Sequence, residues 1–465
     1  MASIRLHDSL SGELRELEPR DPGNVAIYAC GPTVYSRIHV GNARPYVVFA
    51  LLKRFLEHEG FEVKLVENVT DVNDKIYDAA RERGVPSADL AVEMTRAYRA
   101  DTDRLALGRP DQEPLASETI GEIIDLIESL IDGGHAYAAA GDVYFSVRSF
   151  PEYGKLSNRR LEDLAPRDQG EPEEDAATKR DPLDFALWKA QKEGEDTAWD
   201  SPWGRGRPGW HIECSAMAET ILGLDFDIHG GGSDLVFPHH ENEIAQTEAA
   251  RGRALARLWM HNGMIRFGEE KMAKSVGNVR LLGDALDEVG RDALILYFLS
   301  GHYRQPLAFS ANSLDKAERS LERIANFCRL LDRERDAVGT ADGEDAAVAA
   351  SRRAFFDALR DDFNTPQALA ALYDLIAEGN RRIEAGERFA GAADALAEML
   401  AVLGLENLLE AEEPAPAEVE QLADQRERAR RERDFARADE LREEIAARGW
   451  VVRDTAGGPV LVRAR

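Results

Sequence analysis

The segment from Val25 to Val69 constrains the chain more than any other. Val25 to Cys30 (VAIYAC) is a short apolar run bounded by turn residues, the pattern of a buried strand. From Asn42 to Gly60 a helix is expected. Phe49, Leu52, Phe55 and Leu56 share one face, Pro45 suits the first turn and Gly60 suits the C-cap. Glu62 to Val69 (EVKLVENV) alternates and ends in apolar residues, so it reads as the next strand. Strand, crossover helix and strand make a βαβ unit, which implies a parallel sheet in an α/β domain.

Downstream the pattern changes three times. Ile120 to Ile131 reads as a helix and Asp142 to Val147 as a strand. Residues 161–200 then carry 13 acids against 5 bases, with little periodicity from Arg167 to Arg180, which predicts an insertion with a surface loop. Apolar α/β patterning resumes near Gly209 and runs to about Ser310. Beyond that the chain reads as helical, in runs Leu314–Leu331, Ala346–Arg360, Pro366–Glu384 and Ala392–Leu409. An acidic linker (Glu410 to Glu418), a charged helix (Val419 to Arg448) and a small hairpin (Trp450 to Val462, turning at Gly457-Gly458) complete it. The predicted fold class is α/β: a Rossmann-like parallel-sheet domain with an insertion, then an all-α bundle and a small α+β domain. The expected boundaries are 1–125 with 206–248 for the discontinuous sheet domain and 126–205 for the insertion. They continue with 249–312 for a linking region, 313–410 for the bundle and 419–465 for the last domain.

Composition narrows the class of protein. A chain of 465 residues suits two to four domains at roughly 100–200 residues each. The N-terminus MASIRLHDSL lacks the apolar core of a signal peptide, and no window approaches the roughly 18 apolar residues of a membrane span. Three scattered cysteines, Cys30, Cys214 and Cys328, do not make a disulfide framework and point to a reducing cytoplasm. The formal charge of −28 argues against a polybasic membrane-surface protein and, on its face, against a polyanionic partner. Its distribution qualifies that: residues 1–300 carry −19, residues 301–420 carry −11 and residues 421–465 carry +2.

Four groups of residues carry chemistry. Cys30 ends the first strand, where α/β domains place ligand-binding groups, and His239 and Glu243 lie four apart on one helical face. With Cys214 they offer thiolate, imidazole and carboxylate, all Zn²⁺ donors. Buried thiols beside a capped helix would read the same way, and His240 competes with His239. His39-Val40-Gly41-Asn42 precedes the crossover helix, whose N-terminus offers free N–H groups and a positive dipole end to phosphate. Lys271-Met272-Ala273-Lys274-Ser275, between Gly268 and Gly277, places two of only ten lysines three apart, as a clamp on a triphosphate would. An exposed basic turn is the plainer alternative. Gly230-Gly231-Gly232-Ser233-Asp234 follows a strand (Phe226 to Ile228) and allows close backbone approach, with an acid placed to accept ribose hydroxyls.

The order and wording of these segments resemble a bacterial-type cysteinyl-tRNA synthetase, a class I aminoacyl-tRNA synthetase. The resemblance rests on YACGPTVYSRIHVGNAR, ENVTDVNDKI, WDSPWGRGRPGWHIECSAM, DIHGGGSDLVFPHHENEIAQ, EEKMAKS, GHYRQPLAFS and DDFNTPQALAALYDL, which span almost the whole chain. It implies ATP-dependent activation of L-cysteine and its transfer to tRNA(Cys). HVGN stands where the family binds ATP, so His39, Gly41 and Asn42 are implied there, with His39 and Asn42 catalytic. KMAKS stands for KMSKS, with Ala273 in place of the usual serine and both Lys271 and Lys274 kept. Cys30, Cys214, His239 and Glu243 match the family's ligands for one Zn²⁺, and His239 rather than His240 aligns. Thr70 and Trp210 match the cysteine pocket; Gly231 and Asp234 match the nucleotide-facing residues. Mg²⁺ is implied with ATP, and the family is usually monomeric.

The zinc has a physical logic. Cysteine and serine differ by one atom, and an ordinary pocket separates such pairs by only about 1–3 kcal/mol. Zn²⁺ prefers soft thiolate and lowers the thiol pKa, which removes the need for an editing site. The chain shows no separate editing domain. The C-terminal third bears on the acceptor. Arg426, Arg430, Arg433 and Arg437, spaced four, three and four apart, would form one stripe able to track RNA phosphates. An Arg/Glu-laced solvated helix fits the same spacing. Gly457-Gly458-Pro459-Val460 lacks the aromatic that the family usually carries there. Two other readings have to be kept: a cysteine ligase with an amino-sugar acceptor, and a degenerate RNA-binding paralogue. The second predicts eroded motifs, whereas all four zinc positions, His39, Asn42, Lys271 and Lys274 are present.

Overall fold

The computed structural model describes residues 3–165, 178–267, 270–271, 279–338, 343–410, 415–431, 434–455 and 458–463. By its internal contacts the chain divides into two compact units, Met1–Leu405 and Glu406–Arg465.

The βαβ expectation is realised in the first unit. Asn24–Ala29 and Glu62–Glu67 pair in parallel, joined by the helix Val40–His58. Phe226–Gly232 and Ala256–Asn262 extend the parallel sheet on the other side of Asn24–Ala29. The helix is apolar on several sides because it lies between the sheet and the helices that follow. Val47, Phe49, Leu51, Leu52, Phe55 and Leu56 are all buried. Gly60 takes φ +95°, a conformation that favours glycine just past a helix end. Arg44, on the same helix, is fully buried. It donates to the carbonyls of Gly263 at 2.6 Å and His302 at 3.1 Å, which offsets part of the cost of burying a cation.

The insertion is a four-stranded antiparallel sheet, in the order Ala136–Ala139, Asp142–Phe145, Phe185–Ala190 and Gly206–Pro208. Here the structure corrects the expected polar stretch. Phe185, Leu187 and Trp188 are wholly buried, Phe185 stacks on Phe145 with ring centroids 5.0 Å apart, and both join the core that contains Cys30 and Cys214. Six residues, FALWKA, form the buried strand within a segment whose overall charge hides them. Most of the segment Arg167 to Arg180 lies outside the described residues.

The bundle comprises Ala311–Val338, Ala346–Arg360, Thr365–Glu384 and Ala392–Val402. The last helix ends at Val402, earlier than expected, because Gly404 turns the chain at φ +69°. Between the second and third helices, Asp362 and Phe363 hold left-handed backbone. The Asp362 carboxylate accepts from the His7 amide at 2.9 Å and the Tyr303 hydroxyl at 2.8 Å, which ties this turn to the strand Arg5–Asp8 and to GHYR.

In the second unit the expected single charged helix, Val419 to Arg448, is two helices, Ala417–Arg431 and Phe435–Ala447. Asp434 leaves helical geometry and its carboxylate accepts from the Arg437 amide at 3.1 Å, the N-cap of a new helix. The predicted arginine stripe is therefore not one face of one helix. Arg426 and Arg430 lie on the first helix, Arg437 on the second, and Arg433 lies outside the described residues. Arg426 is also buried, at 5% exposure. Val419, Leu422, Leu441, Ile445, Trp450 and Val452 form this unit's core, and the hairpin pairs Trp450–Thr455 with Gly458–Arg463. Among the described residues no helix is long and apolar enough to cross a membrane.

One buried acid makes stability depend on pH. Burial pushes the Glu67 carboxyl up to about 8 against an ordinary 4.5, although the Tyr98 hydroxyl donates to it at 2.6 Å. The folded chain keeps this proton up to about pH 8, whereas the unfolded carboxyl releases it near 4.5. Folding thus takes up a proton between those values, and raising the pH through this window erodes stability. Glu67→Gln is expected to flatten the fall in melting temperature between pH 5 and 8, as read by calorimetry; an unchanged slope would remove Glu67 as the cause.

Candidate active site and metal centre

The site forms where strand ends meet helix beginnings. Cys30 follows the strand Asn24–Ala29, and its amide donates to the Gly230 carbonyl at 2.9 Å. Cys214 lies in the second turn of the helix Trp210–Leu222. His239 and Glu243 bracket the start of the helix Glu241–Arg251. These four side chains are buried and their donor atoms all lie within 4.8 Å of one another. The Cys30 and Cys214 sulfurs are 3.7 Å apart, Cys30 Sγ is 3.6 Å from Glu243 Oε1, and His239 Nε2 is 3.0 Å from the same oxygen. Spacing four along the helix does bring His239 and Glu243 together.

A proton shared by two buried thiols cannot satisfy both. Burial pushes the Cys30 thiol up, and Cys214 and Glu243 add to that. The hydrogen bond from Cys30 holds the Cys214 thiol down. Three potential anions in a water-poor pocket call for a compensating cation, and two thiolates, one imidazole and one carboxylate are the donor set of a transition-metal centre. The cluster therefore fits a metal.

A second overlapping set, Cys30, His229, His240 and Glu243, also brings its donor atoms within 4.8 Å of one another. His240 Nε2 lies 3.2 Å from Cys30 Sγ but 3.9 Å from Glu243 Oε1, and its Nδ1 meets His261 Nε2 at 2.7 Å. His239 completes the group that includes Cys214; His240 does not. The His229 Nε2 meets Glu243 Oε2 at 2.7 Å, and His211 Nδ1 meets His239 Nδ1 at 3.0 Å, leaving His239 Nε2 facing the thiols. Five of the ten histidines thus gather here. Burial keeps His211, His240 and His261 neutral, His261 down to about 3, so they support the cluster as hydrogen-bond partners.

The reading of the sequence missed His211, His229 and Asn68. Asn68 is buried; its Oδ1 accepts from the Gly31 amide at 3.0 Å and its Nδ2 donates to Thr70 Oγ1 at 3.2 Å. The signal was present in ENVTD and DIHGGG, but a polar residue inside a strand shows its role only once its neighbours are known. Of the expected pocket residues, Trp210 stacks on the His239 ring with centroids 4.4 Å apart and borders the donor cluster directly, and the buried Thr70 reaches it through Asn68, whose Oδ1 lies 3.6 Å from Cys214 Sγ.

The HVGN segment is a capping box. The His39 ring accepts from the Asn42 amide at 3.2 Å while Asn42 Oδ1 accepts from the His39 amide at 3.3 Å. A Cβ on Gly41 would stand 2.9 Å from the His39 ring, so this glycine is set by the cap itself. Gly230 is set similarly, since a Cβ there would meet the Phe49 ring at 2.0 Å. Gly231 is buried at the strand end and Asp234 is exposed just beyond it. Lys271 ends a short strand paired with Arg266; Met272 to Gly277, including Lys274, lie outside the described residues.

With this geometry in view, comparison with known proteins is direct. Residues 16–319 match the family model described as tRNA synthetases class I (C) catalytic domain, residues 354–407 match the DALR domain, and residues 413–459 match the cysteinyl-tRNA ligase anticodon binding domain. A methionyl-tRNA synthetase of Mycobacterium tuberculosis, solved with methionyl-adenylate, superposes with a TM-score of 0.61 at 15% identity, over 83% of this chain and 90% of that one. The fold is that of a class I tRNA synthetase. A cysteine–tRNA ligase of Halorhodospira halophila is 48% identical over 99% of this chain and 100% of its own length. One of Caldicellulosiruptor saccharolyticus is 44% identical over the same shares. The chain belongs to the cysteine–tRNA ligase family.

Loss of a cluster ligand and loss of an outer partner should differ. His211→Ala is expected to weaken transition-metal binding by about 10–100-fold, and Cys214→Ser by more than that. Metal retained per chain after dialysis against graded chelator measures both; equal retention by Cys214→Ser and the parent would remove Cys214 from the ligand set.

Proposed function

We propose that the chain joins L-cysteine to ATP·Mg²⁺, forming cysteinyl-adenylate and pyrophosphate, and then transfers the cysteinyl group to the 3′ end of tRNA(Cys). The observation that carries this reading is the buried soft-donor cluster of Cys30, Cys214, His239 and Glu243, in a chain that aligns end to end with cysteine–tRNA ligases. The metal proposed is a single Zn²⁺. When bound it supplies a soft Lewis-acid position that takes a thiolate far better than a hydroxyl.

The remaining roles fall to the chain. Trp210, beside the cluster, and Thr70, reaching it through Asn68, would line the cysteine pocket. The N-terminus of the helix Val40–His58 would receive phosphate oxygens, with His39 and Asn42 held ready by their mutual cap. Gly231 and Asp234 would flank the nucleoside, and Lys271 and Lys274 would neutralise the charge that builds on the departing pyrophosphate. In the first step the cysteine carboxylate attacks the α-phosphorus and pyrophosphate leaves. In the second a terminal ribose hydroxyl of tRNA attacks the carbonyl and AMP leaves. Positioning and charge stabilisation supply the rate, and no covalent enzyme intermediate is required.

The DALR and anticodon-domain matches support tRNA over an amino-sugar as acceptor. We assign RNA contacts to the second unit, where Arg430 and Arg437 are exposed. A cytoplasmic monomer completes the reading, with the expected domain division kept except that the strand Ala256–Asn262 goes with the parallel-sheet domain.

Cysteine-dependent ATP–pyrophosphate exchange, with serine giving at most a trace, is expected. Charging of tRNA(Cys) transcript and not of glucosaminyl-inositol should follow. Exchange that does not depend on cysteine would overturn the activation step; charging of the sugar alone would overturn the acceptor.

A further inference from the structure

The segment following Lys271–Ser275 does not run free of the HVGN segment. The Val40 amide donates to the Arg280 carbonyl at 2.9 Å and the Leu282 amide donates to the Ile38 carbonyl at 3.0 Å. His39 and Leu281 form an antiparallel bridge between these two bonds. The exit of one expected ATP-handling segment is thus laced across the entrance of the other, on both sides of His39. Ile38, Val40 and Leu282 are buried here, but two backbone bonds are a short joint by themselves.

A side-chain lock lies beside it. Arg37 Nη2 meets Asp101 Oδ1 at 2.5 Å and Arg37 Nε meets Asp101 Oδ2 at 3.2 Å, a two-pronged pair. The Asp101 side chain is 3% exposed, whereas Arg37 is 46% exposed, so the acid is an anchor set in the helix Ser87–Asp103. Gly283 presses against this pair. A Cβ there would stand 2.8 Å from Arg37 Nη2 and 3.2 Å from Asp101 Oδ1. Arg104, one turn along from Asp101, donates to the Gly283 carbonyl at 3.3 Å and meets Asp287 at 2.5 Å. Residues 280–287 are therefore gripped from one side by backbone and from the other by two arginines of fixed origin.

We propose that Arg37, braced by Asp101 and seated on Gly283, is a positioning residue for adenylate formation, fixing the spacing between the HVGN helix start and the chain that leaves Lys271–Ser275. An in-line displacement at phosphorus tolerates little error in that spacing. Arg37 acts through the two segments and need not touch ATP. Lysine cannot replace it, because a single ammonium lacks the fork that meets both Asp101 oxygens. The inference rests on the assignment of His39–Asn42 and Lys271–Ser275 to ATP.

The test compares full-length Arg37→Met, Arg37→Lys and Gly283→Ala with the parent in ATP–pyrophosphate exchange. Exchange by the parent tests the proposed activity, and the ratio of variant to parent tests the lock. For Arg37→Met and Gly283→Ala, kcat/KM for ATP is expected to fall at least about tenfold, with the cysteine KM and retained metal within about twofold of the parent. Arg37→Lys should recover only part of the loss. Gly283→Ala leaves every polar atom of the pair in place and displaces it, so it decides the matter if Arg37→Met does not fold. Parental kcat/KM for ATP in Gly283→Ala would overturn the proposal. A matching loss in cysteine KM and metal content would do the same, since that marks a general structural role.

Discussion

The hydrogen bond from the Cys30 amide to the Gly230 carbonyl, at 2.9 Å, fixes where the chemistry of this chain takes place. It is the last bond of the parallel ladder in which Ala29 opposes Gly230, and it sends Cys30 off the strand end toward the helices that carry Cys214 and Glu243. A slip of one residue would turn Cys30 to the other face of the sheet. The register is held by size as much as by hydrogen bonds, since the Phe49 ring occupies the space where any Cβ at Gly230 would lie. The crossover helix, the sheet and the metal cluster are thus locked by one contact between a phenylalanine and a glycine. That helix begins at the His39–Asn42 capping box, so the same packing also sets the height of its N-terminus.

The cluster is demanding to build because its members resist burial as ions. The structure answers with imidazoles as hydrogen-bond partners, and burial keeps His211 and His240 neutral. His229 meets the far oxygen of Glu243, His240 meets the Cys30 sulfur, and His211 meets the back of the His239 ring. Each orients a donor atom of the cluster, as the outer hydrogen-bond partners of a metal site do. His240 is in turn met by His261, which meets Ser9, so the support reaches the protein's first residues. Dispersed hydrogen bonding of this kind keeps the donor geometry firm while leaving the cluster's negative charge available to a cation.

The βαβ unit and the bundle helices could be read in the sequence because each rests on a period that survives folding; of the four cluster residues, spacing joined only His239 to Glu243, and Cys30 and Cys214 were tied to the set through the family resemblance. His239 and Glu243 are the clearest case, since four residues on a helix fix a face. Three things could not be read. The strand Phe185–Ala190 is short, and the acids on both sides mask it. The break at Asp434 was hidden because Asp434 sits inside a charged run whose period continues on either side. Asn68 and His229 gave no pattern because their role comes from cross-strand neighbours far apart in sequence. Period and spacing report elements; polar residues that join elements are visible only after the elements are placed.

The helix break also changes the meaning of the one segment that is not acidic. Of the arginines in residues 421–465, a segment that carries +2, three face acids. Arg437 meets Glu440 at 2.8 Å and Glu444 at 3.6 Å, Arg431 meets Glu427 at 3.3 Å, and Arg448 meets Glu418 at 3.0 Å. Such exposed pairs are worth only about 0–1 kcal/mol each, so a phosphate can displace the carboxylate at little cost. The displaced acid, however, stays within a few ångströms and repels any phosphate that lies off the arginine. A surface built this way gains energy only from a backbone whose phosphates fall on the arginines and miss the acids. Under the proposed function such a surface would select RNA by where its phosphates fall.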